Sequence, residues 1–141
     1  MNAGLNNFAM VHTMARYQFV IPLFTLIIIT LLTSTAHAKR LHKEKEYQEC
    51  WCSEAGGITE FVLSDRTRVD CLTNEYAIEF DFADKWAEAI GQSLYYAEMT
   101  GKKPSIVLIT ERVNDERYLK RLEFVAGIYN IKIWVMTAEG L

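Results

Sequence analysis

The sequence predicts an α/β domain: a mixed central sheet flanked by helices, in the order helix-strand-strand-strand-helix-strand-helix-strand. Three observations carry this. Two short runs, Arg68-Val69-Asp70-Cys71-Leu72 and Tyr76-Ala77-Ile78-Glu79-Phe80-Asp81, have strand composition and stand three residues apart. Ile106-Val107-Leu108-Ile109 is continuously apolar, as in a strand buried on both faces. Between and around these runs lie longer charged stretches whose apolar residues recur at helical spacing.

The elements follow in order. Residues 43–55 place Tyr47, Cys50, Trp51 and Ala55 at helical intervals, and Gly56-Gly57 stops that helix. Residues 58–63 alternate as a strand and turn at Ser64-Asp65. Strands over 67–72 and 76–82 come next, joined by Thr73-Asn74-Glu75. Asp84 is positioned to cap a helix running to about Met99, and Gly101 ends it. Pro104 opens the apolar strand, Asn114 is the expected cap of a charged helix to about Tyr129, and 132–136 closes the sheet.

The first 38 residues read differently. They contain one charged side chain, Arg16, then an apolar run from Phe19 to Leu32, then Ala36-His37-Ala38. That is the pattern of a signal peptide cut before Lys39, which would export a single domain of residues 39–141 to a periplasmic or secreted location. The alternative is an uncleaved N-terminal membrane anchor, and a membrane is a partner only in that case. Against it, the run is shorter than the roughly 20 apolar residues a spanning helix needs and contains Pro22.

All 18 acids and 14 of the 15 Lys and Arg residues fall after position 38, so this part carries a net charge of −4. A mildly acidic domain does not bind polyanions through overall charge, and any nucleic-acid contact has to be local. The three cysteines also lie there. Cys50 and Cys52 point to different faces of their helix, and Cys71 can reach one of them, unless all three are simply small buried hydrophobes. A zinc site is not indicated: Cys50-Trp51-Cys52 has the wrong spacing and His42 stands alone nearby.

Chemistry is suggested by the acids. Strand alternation puts Ala77, Glu79 and Asp81 on one face, and Arg68, Asp70 and Leu72 on one face of the preceding strand. Pairing of the two strands would bring Asp70 and Glu79 close enough to share a hard cation, Mg²⁺ or Mn²⁺. On the following helix, Lys85, Glu88, Gln92 and Tyr96 share a face, so Lys85 can lean over the acids and Gln92 can orient a water or a phosphate oxygen.

An Asp on one strand, a Glu-x-(Lys position) on the next and a helix bearing Gln92 within Ala89-Ile90-Gly91-Gln92-Ser93-Leu94-Tyr95-Tyr96 together resemble the PD-(D/E)XK nuclease superfamily, in its exonuclease and junction-resolvase branch. The resemblance covers roughly residues 43–109. It implies a restriction-endonuclease-like fold, Asp70 and Glu79 as metal ligands, and an acid of the first helix joining them, with Glu49 preferred over Glu46. Lys85 and Gln92 become the catalytic side chains, and DNA, or RNA, becomes the partner. The departure is at Asp81, an acid where the superfamily has its Lys; Lys85, four residues on, is placed to return an ammonium to the same point. The alternative function is an inactive exported domain of the same fold that binds nucleic acid or protein.

Overall fold

The computed structural model describes residues 39–141. Helix α1 (Glu44–Glu54) leads into strands β1 (Ile58–Val62), β2 (Arg68–Leu72) and β3 (Tyr76–Phe82). A single 3-10 turn, Ala83–Lys85, opens helix α2 (Trp86–Thr100), followed by β4 (Lys103–Ile109), α3 (Glu116–Tyr129) and β5 (Lys132–Met136). The five strands form one mixed sheet in the order β1-β2-β3-β4-β5. The first two pairings are antiparallel and the last two parallel.

The helices cover both faces. On one, Tyr47 and Cys52 of α1 pack with Cys71, Ile78, Phe80, Phe82, Val107 and Ile109. On the other, Ala89 of α2 and Leu122 and Ala126 of α3 pack on Ile106 and Leu108. Strand β4 therefore buries alternate residues in two different cores, which is why its sequence is an unbroken apolar run. A third cluster of Leu63, Val69, Ala77 and Tyr96 joins the β1–β2 hairpin to α2.

Local signals differ from expectation in three places. Asp84 does not cap α2: it lies within the 3-10 turn and pairs with Arg40. Before α3 the capping carboxylate belongs to Asp115, not Asn114; its Oδ2 accepts the Glu111 and Arg112 N–H groups at 3.1 and 3.0 Å. Pro104 lies inside β4, paired with Ala77, where the tertiary amide is accommodated next to the strand's start. At the ends of α1 and α2, Gly56 and Gly101 take left-handed φ values of 64° and 65°, as the chain breaks there require.

The cysteine question is settled by docking of α1. Cys52 and Cys71 are disulfide-bonded and buried, and Cys50 is free. Gly57 explains how α1 approaches so closely. A Cβ on it would lie 2.5 Å from Cys71 Sγ and 2.8 Å from Cys52 Sγ.

The apolar run at 19–32 and the Ala36-His37-Ala38 site lie outside the described residues. Among the described residues no helix is long and apolar enough to cross a membrane.

Candidate functional site

The site is built where β2 and β3 part. Their ladder pairs Leu72 with Ala77 and Cys71 with Ile78. One step further the same register sets Asp70 opposite Glu79, and here a side chain takes over from the backbone: Phe80 N–H donates to Asp70 Oδ2 at 2.8 Å. On the other flank of β2, the register brackets Glu60 opposite Asp70. Three acids thus stand in a row across three neighbouring strands. Like charges directly opposite one another are unfavourable, so their arrangement needs a reason beyond packing.

The row forms the floor of a cleft of about 450 Å³. Glu44, Glu60, Asp70, Glu79, Asp81 and Glu88 line it with Arg66, Arg68, Lys85, Gln92 and Tyr96. The structure therefore brings Asp70, Glu79, Lys85 and Gln92 together. It does not bring Glu49, which is exposed on the outer face of α1 and pairs with Lys45 at 3.6 Å. Glu46, on the same outer side, meets His42 Nδ1 at 3.0 Å. The α1 acid in the cleft is Glu44. Its position is legible in retrospect: it precedes the buried Tyr47, Gln48 and Cys52 by three, four and eight residues, on their face of the helix. Glu111 fixes the start of that helix by accepting Leu41 N–H, His42 N–H and the Tyr47 hydroxyl, the last at 2.9 Å.

Burial sets the electrostatics. Glu79 is 4 % exposed and Asp81 3 %. In register, Glu79 neighbours Ile106 and Asp81 neighbours Leu108, so their carboxylates leave β3 beside an apolar strand. Desolvation, reinforced by Asp70 and Asp81, pushes the Glu79 carboxyl far above its usual range. Desolvation likewise raises Asp70, despite the Phe80 N–H, and Glu44 and Glu60 add to it. Asp81 rises to about 7, chiefly through burial and against the pull of Lys85. Glu44 is raised by desolvation too. Glu79 Oε2 is buried with no hydrogen-bond partner, and among the described residues it is the one such side-chain atom.

Lys85 answers one of these charges. Its Nζ lies 3.6 Å from Asp81 Oδ1, and that neighbour raises its own pKa above the ordinary lysine value. Glu88, the other candidate partner on the helix, lines the cleft but is not the ion-pair partner. Gln92 and Tyr96 both line the cleft, and the Tyr96 hydroxyl is raised by burial and by the Glu79 charge.

Backbone strain concentrates here as well. The non-glycine residues with positive φ are Glu60 (53°), Arg66 (74°) and Asn130 (54°) among the described residues. Asn130 sits at the end of α3, an ordinary place for it. Glu60 and Arg66 both line the cleft, and such residues cost on the order of 1 kcal/mol or more each. Sequence reading missed both, because nothing in a pattern of residue types announces a left-handed Glu within a strand.

Among the described residues, no group of three or more His, Cys, Asp and Glu side chains is placed to hold a metal ion. Lys102 and Lys103 stand away from the cleft, at the opposite end of β3, where they meet the Asn74 carbonyl and Glu75 at 2.7 Å each.

The fold and site define an α/β protein with a five-stranded mixed sheet and a desolvated acidic cleft at the divergence of two strands. No protein-family model matches the chain, and no solved structure does. Over 97 residues, 66 % of its length, it is 35 % identical to a KilA-N domain-containing protein of Acanthamoeba polyphaga mimivirus. The chain spans 37 % of that relative's length.

Proposed function

We propose that this chain is a divalent-metal-dependent nuclease of the restriction-endonuclease-like fold, hydrolysing phosphodiester bonds of DNA. The observation that carries the reading is Glu79: a nearly inaccessible carboxylate, one oxygen without a partner, facing Asp70 across the parted strands. Buried charge without compensation is costly, and a hard cation is the compensation that several acids at one opening can share.

The residues fit such an ion. Mg²⁺ is commonly held through one or two carboxylates, with waters and substrate phosphate oxygens completing the shell, so a full protein cage is not needed. Asp70 and Glu79 would hold it, and Glu44, the α1 acid that lines the cleft, would add negative charge beside it. Bound there, the ion would supply Lewis-acid stabilisation of the phosphate and a more acidic water. The chain's own groups do the rest. Lys85 holds a positive charge at the cleft, steadied by Asp81, where it can offset the charge that grows on the phosphate oxygens. Gln92, in the cleft lining, can position the attacking water. Water adds to phosphorus as the bond to the leaving oxygen breaks, and a phosphomonoester and a hydroxyl result.

Likeness to a KilA-N domain-containing protein is consistent with DNA as the partner. A second reading, a binding module without catalysis, is favoured by Asp81 at the superfamily's Lys position, since an acid there cannot itself stabilise an attacking hydroxide.

The test uses the full chain with Mg²⁺ or Mn²⁺. Metal binding by calorimetry and cleavage of linear, branched and single-stranded DNA should both be present, and both should be lost in Asp70→Ala and Glu79→Ala. Metal binding without cleavage of any DNA or RNA would leave the binding module. Absence of divalent-metal binding would end the nuclease reading.

A further inference from the structure

We propose that Arg66 is a substrate-positioning residue that grips a phosphodiester of the nucleic-acid strand next to the one presented to the acids. This deepens the nuclease reading and rests on it.

The first observation is charge. Six carboxylate residues line the cleft and only three cations. Two of those cations are committed: Arg68 Nε to Glu60 at 3.3 Å, and Lys85 to Asp81 at 3.6 Å. The Arg66 side chain has neither a hydrogen bond nor an ion pair among the described residues. A polyanion entering an acidic cleft needs an uncommitted cation on its path, and a guanidinium can take two phosphate oxygens in its planar fork.

The second observation is how Arg66 is held. It is the last of the three residues, 64–66, that lie between Leu63 and Thr67 in the β1–β2 connection, which is closed by Leu63 N–H to the Thr67 carbonyl at 2.8 Å and by the Arg66 N–H to the Leu63 carbonyl at 3.0 Å. Its φ of 74° is the left-handed conformation that such loops normally give to glycine. The loop is also braced. Asp65 accepts Thr67 N–H at 3.0 Å and the Thr67 hydroxyl at 2.7 Å through Oδ1, and the Tyr95 hydroxyl of α2 through Oδ2. An arginine in a glycine position, on a hairpin tip pinned to the helix that carries Gln92, is strained where glycine would not be. Strain retained at a site is a pointer to use.

The experiment measures anisotropy of a fluorescein-labelled DNA oligonucleotide with the full chain, in Ca²⁺ in place of Mg²⁺, across a salt series. Arg66→Ala, Arg66→Gly and Arg66→Lys are compared with Arg117→Ala, a charge-matched change on α3 outside the cleft. Arg66→Ala and Arg66→Gly should bind about tenfold more weakly, the loss of one charge-assisted contact. Their salt dependence should flatten by roughly 0.7–0.9 in log–log slope. Arg66→Lys should recover part of the affinity. Arg66→Gly should unfold at the same temperature as wild type or higher, which separates lost contact from lost fold. In Mg²⁺ the same variants should raise KM and leave kcat nearly unchanged. If Arg66→Ala binds like Arg117→Ala, the positioning role is overturned while the nuclease reading stands. If wild type binds no DNA, both fall together.

Discussion

Lys85 Nζ stands 3.6 Å from Asp81 Oδ1, one helical turn along the chain and beside the row of acids on the sheet. The ammonium is therefore delivered to the end of β3 from the helix that follows it, with the strand's own residue as its anchor. The pair joins Asp81, a buried acid near the end of β3, to a lysine four residues on in the sequence.

If that ammonium acts on the transition state, Lys85→Ala should lower the single-turnover cleavage rate by about 10²–10³ and leave Mn²⁺ affinity nearly intact. Calorimetry and quenched-flow cleavage on the same preparation test this. An unchanged rate would reduce Lys85 to a partner of Asp81.

The acids should make the metal-free protein less stable as pH rises. A carboxyl whose folded pKa lies above its unfolded value binds its proton more tightly when folded. Asp70 and Glu79 are both raised, and Asp81 is raised from 3.8 to about 7. Their contribution is most favourable below about pH 4; it declines between about 4 and 7 as Asp70 and Asp81 ionise, and for Glu79 the decline continues to about 10. Metal-free Glu79→Gln should show a shallower decline than wild type. At pH 8 it should melt higher, by about 4–8 °C for each kcal/mol gained. Calorimetric melts at pH 5 and 8 in chelator read both effects, and saturating Mn²⁺ should remove the wild-type decline.

Glu44 and Glu49 make a matched pair on one helix, one lining the cleft and one paired with Lys45 in solvent. Glu44→Gln should weaken Mn²⁺ binding severalfold, and Glu49→Gln should leave it unchanged. Equal behaviour of the two variants would remove α1 from the site.

The Cys52–Cys71 bond ties α1, which bears Glu44, to β2 at the residue after Asp70, across a sequence separation of 19. Closing a loop of that length stabilises by about 3 kcal/mol in the chain-entropy account. Reduction, or the double change of Cys52 and Cys71 to Ser, should lower stability by about that much, measured by urea unfolding.

Gly57→Ala should be costly for the same junction, since the added Cβ would press on both sulfurs. A loss of about 1–3 kcal/mol is expected in the oxidised protein, with a smaller loss after reduction. Urea titrations with and without reductant distinguish this steric cost from a general cost of ordering the backbone.

How far could these features be read before folding? The apolar run at 106–109, the alternation in 76–82 and the glycines at 56 and 101 mark elements because periods of 2 and 3.6 and left-handed stops are properties of the local chain. The same local logic set Glu79 and Asp81 on one strand face and Lys85, Gln92 and Tyr96 on one helix face. What the tertiary structure alone decided depends on contacts between distant segments. Docking of α1 over the sheet chose Cys52 over Cys50 and Glu44 over Glu49, a rotation of the helix that its charged sequence leaves open. The parting of β2 from β3 turned Asp70 into a backbone acceptor, and the left-handed turns at Glu60 and Arg66 brought one acid and one cation into the cleft. Periodicity says which way a side chain faces from its own element. Only register and helix packing, set by burial summed over the whole sheet, say what it faces.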